Sequence, residues 1–394
     1  MAAWQTVALG DALTFQRGFD ITKTEQRDGP YPVISSSGPK TNHSEFKVRG
    51  PGVIIGRKGS LGTVFYSERD YWPHDTTLWI KDFHGNHPRF AYYFLQTMGF
   101  ERLDAGASNP SLNRNHIHTI PVRWPPLQVQ RHIASILSAY DELIENSQRR
   151  IKILEDMARS LYREWFVHFC FPGHESVPRV PTPLGDIPQG WEVSTLQAVT
   201  TKIGSGATPR GGKDAYKTEG IYLIRSLNIY DYNFKYADLA LIDEKQAAGL
   251  ASVTIEENDI LLNITGASVG RCTLVPTHLL PARVNQHVAI VRSDPTKASP
   301  FYILDSINSE QRKQQLLALA QGGATREALT KFTLSNFQII LPPQALMQSY
   351  HGVARDIHKQ REALLRQIQN LRRTRDLLLP RLLSGQVELK LEAA

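Results

Sequence analysis

Only two cysteines occur in 394 residues, Cys170 and Cys272, and neither has the neighbours of a metal-binding motif. His168 and His174 flank Cys170, but a zinc site wants about four ligands, so these residues read as a helix end. No run of about 18 apolar residues occurs, and no membrane span is expected. The opening Met1-Ala2-Ala3-Trp4 lacks the charged and then apolar region of an export signal. A cytoplasmic location is therefore expected, and it disfavours a disulfide.

Catalytic signatures are scarce too. There is no Gly-x-x-x-x-Gly-Lys-Ser/Thr loop, which excludes a P-loop ATPase, and Gly204-Ser205-Gly206 lacks the third glycine of a dinucleotide loop. Asn109-Pro110-Ser111-Leu112 has neither the second proline nor the aromatic that an amino-methyltransferase uses against a flipped base, and reads as a polar turn. Asp376, Glu388 and Lys390 loosely echo a Mg²⁺-dependent nuclease. Asp376, however, falls in a predicted helix and the other two in a terminal tail. Acidic residues are outnumbered, 38 against 45 Lys and Arg, for a net charge of +7. That balance favours a polyanionic partner such as nucleic acid.

What the chain does contain is a long amphipathic stretch, Leu127 to His168, written twice. Apolar residues fall at Tyr140, Ile144, Ile151, Leu154, Leu161 and Trp165, with Ser147 and Ala158 completing a heptad seam. Pro125-Pro126 recur as Pro342-Pro343, an offset of 217. At that offset Ile357, Leu364, Ile368, Leu371, Leu378 and Leu382 form a second seam, broken where Ile144 meets Arg361 and Ala158 meets Arg375. Two helices of roughly 40 residues, each about 60 Å long, can bury both seams against each other. The expectation is an antiparallel intrachain rod; a homodimeric coiled coil is the other way to cover the same seams.

Around these helices the chain divides into five parts. Residues 1–124 form a first domain, with β-rich runs such as Tyr31 to Ser35 and Gly52 to Gly56 and a helix near His87 to Thr97. Residues 125–171 are the central long helix. Residues 172–190 hold five prolines and read as a stiff linker. Residues 191–341 repeat the domain plan, Trp191 and Leu196 having the spacing of Trp4 and Leu9. A helix is predicted over Pro300 to Ala320, and residues 342–394 are the C-terminal long helix and tail. From the tryptophan to the double proline is 121 residues in the first copy and 151 in the second.

Several stretches carry a family resemblance. They are Leu184-Gly185-Asp186-Ile187-Pro188-Gln189-Gly190-Trp191-Glu192-Val193, the final Leu379-Pro380-Arg381-Leu382-Leu383-Ser384-Gly385-Gln386-Val387-Glu388-Leu389, the double prolines and Trp165-Phe166. With these the chain resembles the DNA-specificity subunits of Type I restriction-modification systems over nearly its whole length. The resemblance implies an α+β fold with two mixed α/β target-recognition domains, each reading one half of a bipartite, asymmetric site in double-stranded DNA. It implies that the helices set the spacer and dock two methylation subunits, to which the full assembly adds motor-nuclease subunits. The chain itself would be non-catalytic and hold no cofactor; S-adenosylmethionine, ATP and Mg would belong to the partners.

Phosphates call for basic side chains and base edges for polar ones. In loop-like stretches the first domain offers Lys40, Asn42, Arg57, Lys58, Ser60, Asn109, Asn113 and Arg114. The second offers Thr208, Arg210, Lys213, Arg225, Asn228, Asn263, Thr265, Ser268, Arg271, Asn285, Gln286, Thr325 and Arg326. Among them, Ile54 to Gly62 and Leu261 to Arg271 each run a hydrophobic strand into a glycine-bearing turn with basic neighbours. Any single member can equally be a solvated surface residue. Two further readings compete: a self-sufficient methyltransferase or nuclease with built-in recognition, and a structural coiled coil without DNA affinity.

Overall fold

The computed structural model describes residues 4–103, 111–322 and 327–387, and leaves the side chain of Lys213 undescribed. Its contacts group the chain into two compact units, Met1–Gln148 with Arg366–Ala394, and Arg149–Leu365. Each combines globular structure with part of both long helices, Leu127–Tyr162 and Gln344–Leu383.

Unit 1 is built on a four-stranded antiparallel sheet. Its strands run in the order Thr14–Arg17, Thr77–Asp82, Gly52–Gly56, Val64–Ser67. Gly52–Gly56 is buried at every position, as its unbroken apolar run requires of a central strand. Helix Pro88–Gln96 begins with proline in its first turn and buries Phe90, Tyr93 and Phe94. A smaller sheet pairs Tyr31–Ser35 with Gly38–His43 and, in parallel, with Trp72–Pro73. Gln5–Ala8 pairs antiparallel with Pro121–Trp124, the strand that leads into the first long helix. That strand starts only at Pro121, because Asn113 caps a helical turn over Arg114–His118 just before it.

Unit 2 repeats this plan. Its four-stranded sheet runs Thr200–Ser205, Val288–Ser293, Ile260–Asn263, Cys272–Leu274, which is again first, fourth, second, third in chain order. Glu192–Thr195 pairs antiparallel with Gln338–Leu341 ahead of the second long helix. The additional length goes into a five-stranded sheet of short strands. The helix predicted over Pro300 to Ala320 is two helices, Pro300–Asn308 and Glu310–Gln321, because Ser309 is extended (φ −62°, ψ 141°). Nor is the proline-rich linker simply stiff and extended. Arg179–Val180 folds back on Ile187–Pro188 through a turn that uses Gly185 at φ +100°.

Within each unit the two long helices pack antiparallel. In unit 1, Ile133 and Leu137 share a core with Leu382 and Leu383, while Asp141 meets Arg375 at 2.6 Å. In unit 2, Glu155 meets Arg361 at 2.8 Å, and Tyr162 and Phe166 pack on Tyr350. The seam is therefore intrachain. The two seats where the apolar match fails are filled by ion pairs. Arg375 reaches Asp141, which also accepts a 2.6 Å bond from the Tyr93 hydroxyl. Arg361 reaches Glu155 and the Tyr232 carbonyl.

Of the predicted seam, Ile144, Ile357, Leu364, Ile368 and Leu382 are buried. Tyr140, Ile151, Leu154, Leu161, Trp165, Leu371 and Leu378 are half-buried. Beyond Ala158 the seats move to Tyr162 and Phe166, because Arg163–Val167 form a π turn and steps of four replace the three–four alternation.

Candidate nucleic-acid interface

In unit 1, four segments converge at one end of the four-stranded sheet. The strand Gly52–Gly56 leaves the sheet into a turn, and the amides of Arg57 and Lys58 both donate to the Thr76 carbonyl at 2.8 and 3.1 Å. Lys58 bridges to Ser111, and the Leu112 amide donates to the Arg57 carbonyl at 3.0 Å. Ser36 joins from the smaller sheet, its carbonyl accepting from Thr63 Oγ1 at 2.6 Å. Gly56 closes the turn: a Cβ there would lie 2.0 Å from the Ser60 carbonyl oxygen. The close approach this glycine permits is thus to its own loop.

This arrangement brings together Arg57, Lys58, Ser60, Asn113 and Arg114. Ser60, Asn113 and Arg114 are exposed, Arg57 and Lys58 half-buried. Asn113 caps the following helix through its Oδ1, so its amide is partly committed. Lys40 and Asn42 are exposed on Gly38–His43, in the smaller sheet. Asn109 lies outside the described residues. Residues not singled out in the sequence also belong here. Asp75 pairs with Arg17 at 3.0 Å and with His74 at 2.9 Å, and Arg57 donates to the Asp75 carbonyl.

Unit 2 places the same construction at the same end of its sheet. Ile260–Asn263 leads into the turn, Thr265 bridges to Ala328, and the Leu329 amide donates to the Ile264 carbonyl at 2.8 Å. Gly266 turns at φ +74° with open space where a side chain would point. Ser226, Leu227, Tyr230, Thr265, Ser268, Arg271 and His287 line a shallow depression of about 470 Å³. Within it the Arg271 guanidinium sits 4.7 Å from the Tyr230 ring centre. Such stacking holds a guanidinium in place while leaving its N–H fork open.

The sequence candidates in this unit separate by what they touch. Thr208, Thr265, Ser268, Arg271, Asn285 and Gln286 meet around the turn. Asn263 is fully buried, donating to the Ser226 carbonyl and to Ser268 Oγ, which makes it a brace for the turn. Asn228, also fully buried, donates to the carbonyls of Lys235 and Ala237. Arg225 is directed to the Asp238 carbonyl and lies 5.2 Å from the Tyr216 ring centre. Arg210 is exposed, its carbonyl tied to Gln246. Thr325, Arg326 and the Lys213 side chain lie outside the described residues. No local motif marks Tyr230 or His287, and only the folded loops bring them to the turn.

Elsewhere in unit 2, burial pushes the Cys272 thiol up to about 12, consistent with an inert core residue. Cys170, His168 and His174 stand at the helix end, His168 pairing with Glu164 at 3.2 Å. Among the described residues no group of three or more His, Cys, Asp or Glu is placed to hold a metal ion. No helix among them is long and apolar enough to cross a membrane. Asp376 is exposed beside Arg375, while Glu388 and Lys390 lie outside the described residues.

Residues 1–156 match the family described as Type I restriction modification DNA specificity domain. The chain is 26% identical to the Type I restriction enzyme MjaIX specificity subunit of Methanocaldococcus jannaschii, over 76% of this chain and 69% of the relative. It is 20% identical to the MjaVIII specificity subunit of the same organism, over 98% and 93%. The crystal structure of a Type I restriction-modification S subunit from M. genitalium shares the fold, with a TM-score of 0.69 at 14% identity, covering 99% of this chain and 97% of that one. The turn geometry, the repeated plan and these relatives agree: residues 1–156 match the Type I restriction modification DNA specificity domain, and the chain as a whole is similar to the specificity subunits of Type I restriction enzymes.

Proposed function

We propose that each unit reads one half of a bipartite, asymmetric site in double-stranded DNA, and that the long helices fix the spacer and dock two methylation subunits. One observation carries this reading. The same strand–turn–bridge construction, Lys58 to Ser111 and Thr265 to Ala328, occurs once in each unit with basic and amide side chains around it. Two such ends, unlike in sequence, suit two unlike half-sites. Arg57, Lys58 and Arg114 fit phosphates or guanine, and Arg271 on Tyr230 fits guanine through its fork. A helix of 36 residues is about 54 Å long, enough to span the roughly 34–36 Å between half-sites one DNA turn apart.

Chemistry on this reading lies in the partners. Methylation subunits bring S-adenosylmethionine, motor-nuclease subunits bring ATP and Mg, and assembly takes place in the cytoplasm. The test is selection from a randomised duplex library by the chain assembled with its methylation subunits. Two blocks of preferred bases separated by a fixed indifferent gap are expected, with affinity falling steeply as salt rises through counterion release. A contiguous palindrome, or no preference at all, refutes the proposal.

A further inference from the structure

We infer that Gln286 reads one adenine of the half-site bound by unit 2, its amide locked in orientation by a hydrogen-bond relay. This rests on the DNA-reading function proposed above.

Three side chains fix the amide. Thr208 Oγ1 donates to Gln286 Oε1, Gln286 Nε2 lies 3.1 Å from His287 Nε2, and His287 Nδ1 lies 2.7 Å from Thr265 Oγ1. With the amide in this orientation its nitrogen donates, so His287 Nε2 accepts, and the ring proton sits on Nδ1 and is given to Thr265. Thr265 is itself held, through its bridge to Ala328 and the bond from the Gly266 amide to the Glu327 carbonyl at 3.1 Å. Three separate segments thus converge on one exposed amide.

The relay uses one lone pair of Oε1 and one proton of Nε2. What remains is one acceptor and one donor, side by side in the amide plane. That pair is the complement of adenine N6–H and N7 in the major groove. A free glutamine can rotate its amide and offer either polarity; turning this one over requires Thr208, His287 and Thr265 all to reverse their hydrogen bonds. Guanine, with acceptors at both N7 and O6, would meet the carbonyl oxygen with an oxygen. Fixing the amide beforehand also lowers the ordering cost of binding.

The experiment takes the chain assembled with its methylation subunits, selects its site from a randomised duplex, and replaces each adenine in turn by 7-deazaadenine, which lacks the N7 acceptor. One position should lose affinity roughly tenfold, the lower range for a bidentate base contact. Q286A should lose the preference at that position and become insensitive to 7-deazaadenine there. Q286E should turn the preference toward cytosine, whose N4 amino group donates to a carboxylate. T208V, which frees Oε1 and keeps the glutamine, should blur the same position only, and provides the check should Q286A fail to assemble. If the wild type selects a defined site and these variants keep every preference, the role of Gln286 is overturned and DNA recognition stands. If the wild type selects no sequence, both fall.

Discussion

Replacing Glu155 by alanine should destabilise unit 2 by about 1.5–3 kcal/mol, the range for hydrogen bonds to charged groups. The size follows from the site. Arg361 occupies a heptad seat that its neighbours Ile357 and Leu364 fill with buried apolar side chains. Its guanidinium bonds Glu155 at 2.8 Å and the Tyr232 carbonyl at 2.6 Å, with the two side chains only 15% and 23% exposed. E155A leaves a mostly buried cation with one carbonyl. A fully buried pair broken on one side costs about 3–5 kcal/mol; the residual solvent contact here brings the figure below that. R361A should cost less, because Arg159 stands 3.4 Å from Glu155 and can take over. The E155L/R361L double restores an apolar seat and should come within about 1 kcal/mol of the wild type, as uncharged replacements of buried pairs often do. In a unit of this size 1 kcal/mol moves Tm by about 2–4 °C. Differential scanning calorimetry should therefore show E155A lowered by about 3–12 °C, with the double within about 4 °C of the wild type. If E155A shifts by less than about 1 °C, or single and double fall together, the pair is not what fills that gap in the seam.

Other expectations concern burial, turn geometry and spacing. Burial raises the Asp305 carboxyl to about 7 from 3.8; a raised folded pKa gives stability that is full below the unfolded value and lost as pH climbs through the folded one. The Tm of the wild type should therefore fall between about pH 4 and 7 relative to D305N, and parallel profiles would contradict this. G56A puts a Cβ 2.0 Å from the Ser60 carbonyl oxygen, so it should abolish base preference in one half-site only, read by library selection. Deleting residues 145–151 together with 365–371 removes one heptad from each helix, about 10 Å. The selected gap should shorten by roughly three base pairs at a rise of about 3.4 Å each, and an unmoved gap makes the helices a docking surface alone.

Much of the frame was readable because it repeats a local period. The second long helix occupies Gln344–Leu383 as its heptad steps indicate, and Gly52–Gly56 is the buried strand its apolar run suggests. The π turn at Arg163–Val167 was not readable, since Leu161 and Trp165 continue the heptad as well as Tyr162 and Phe166 break it. Nor was the five-stranded sheet of unit 2, assembled from strands of two to four residues whose partners are distant in sequence. At the candidate site, composition pointed to turns that the fold brings together, and it could not show which of their amides are buried. Asn228 and Asn263 look like surface amides, yet each satisfies its donors internally and is fully buried. Tyr230 and His287 become neighbours of Thr265 and Arg271 only through tertiary closure.

The paired strands at the base of each unit carry a consequence of their own. Gln5–Ala8 lies against Pro121–Trp124, and Glu192–Thr195 against Gln338–Leu341. The polypeptide enters and leaves each globular part through adjacent strands about 4.8 Å apart. Whatever lies between can lengthen, shrink or be exchanged wholesale while the doorway, and the helix that starts just beyond it, stay where they are. The second copy already shows the tolerance: it carries 151 residues between its tryptophan and its double proline where the first carries 121, behind the same two-stranded gate. On the proposed function, exchanging one insert would change the bases read by that unit alone and leave the rest of the chain unaltered.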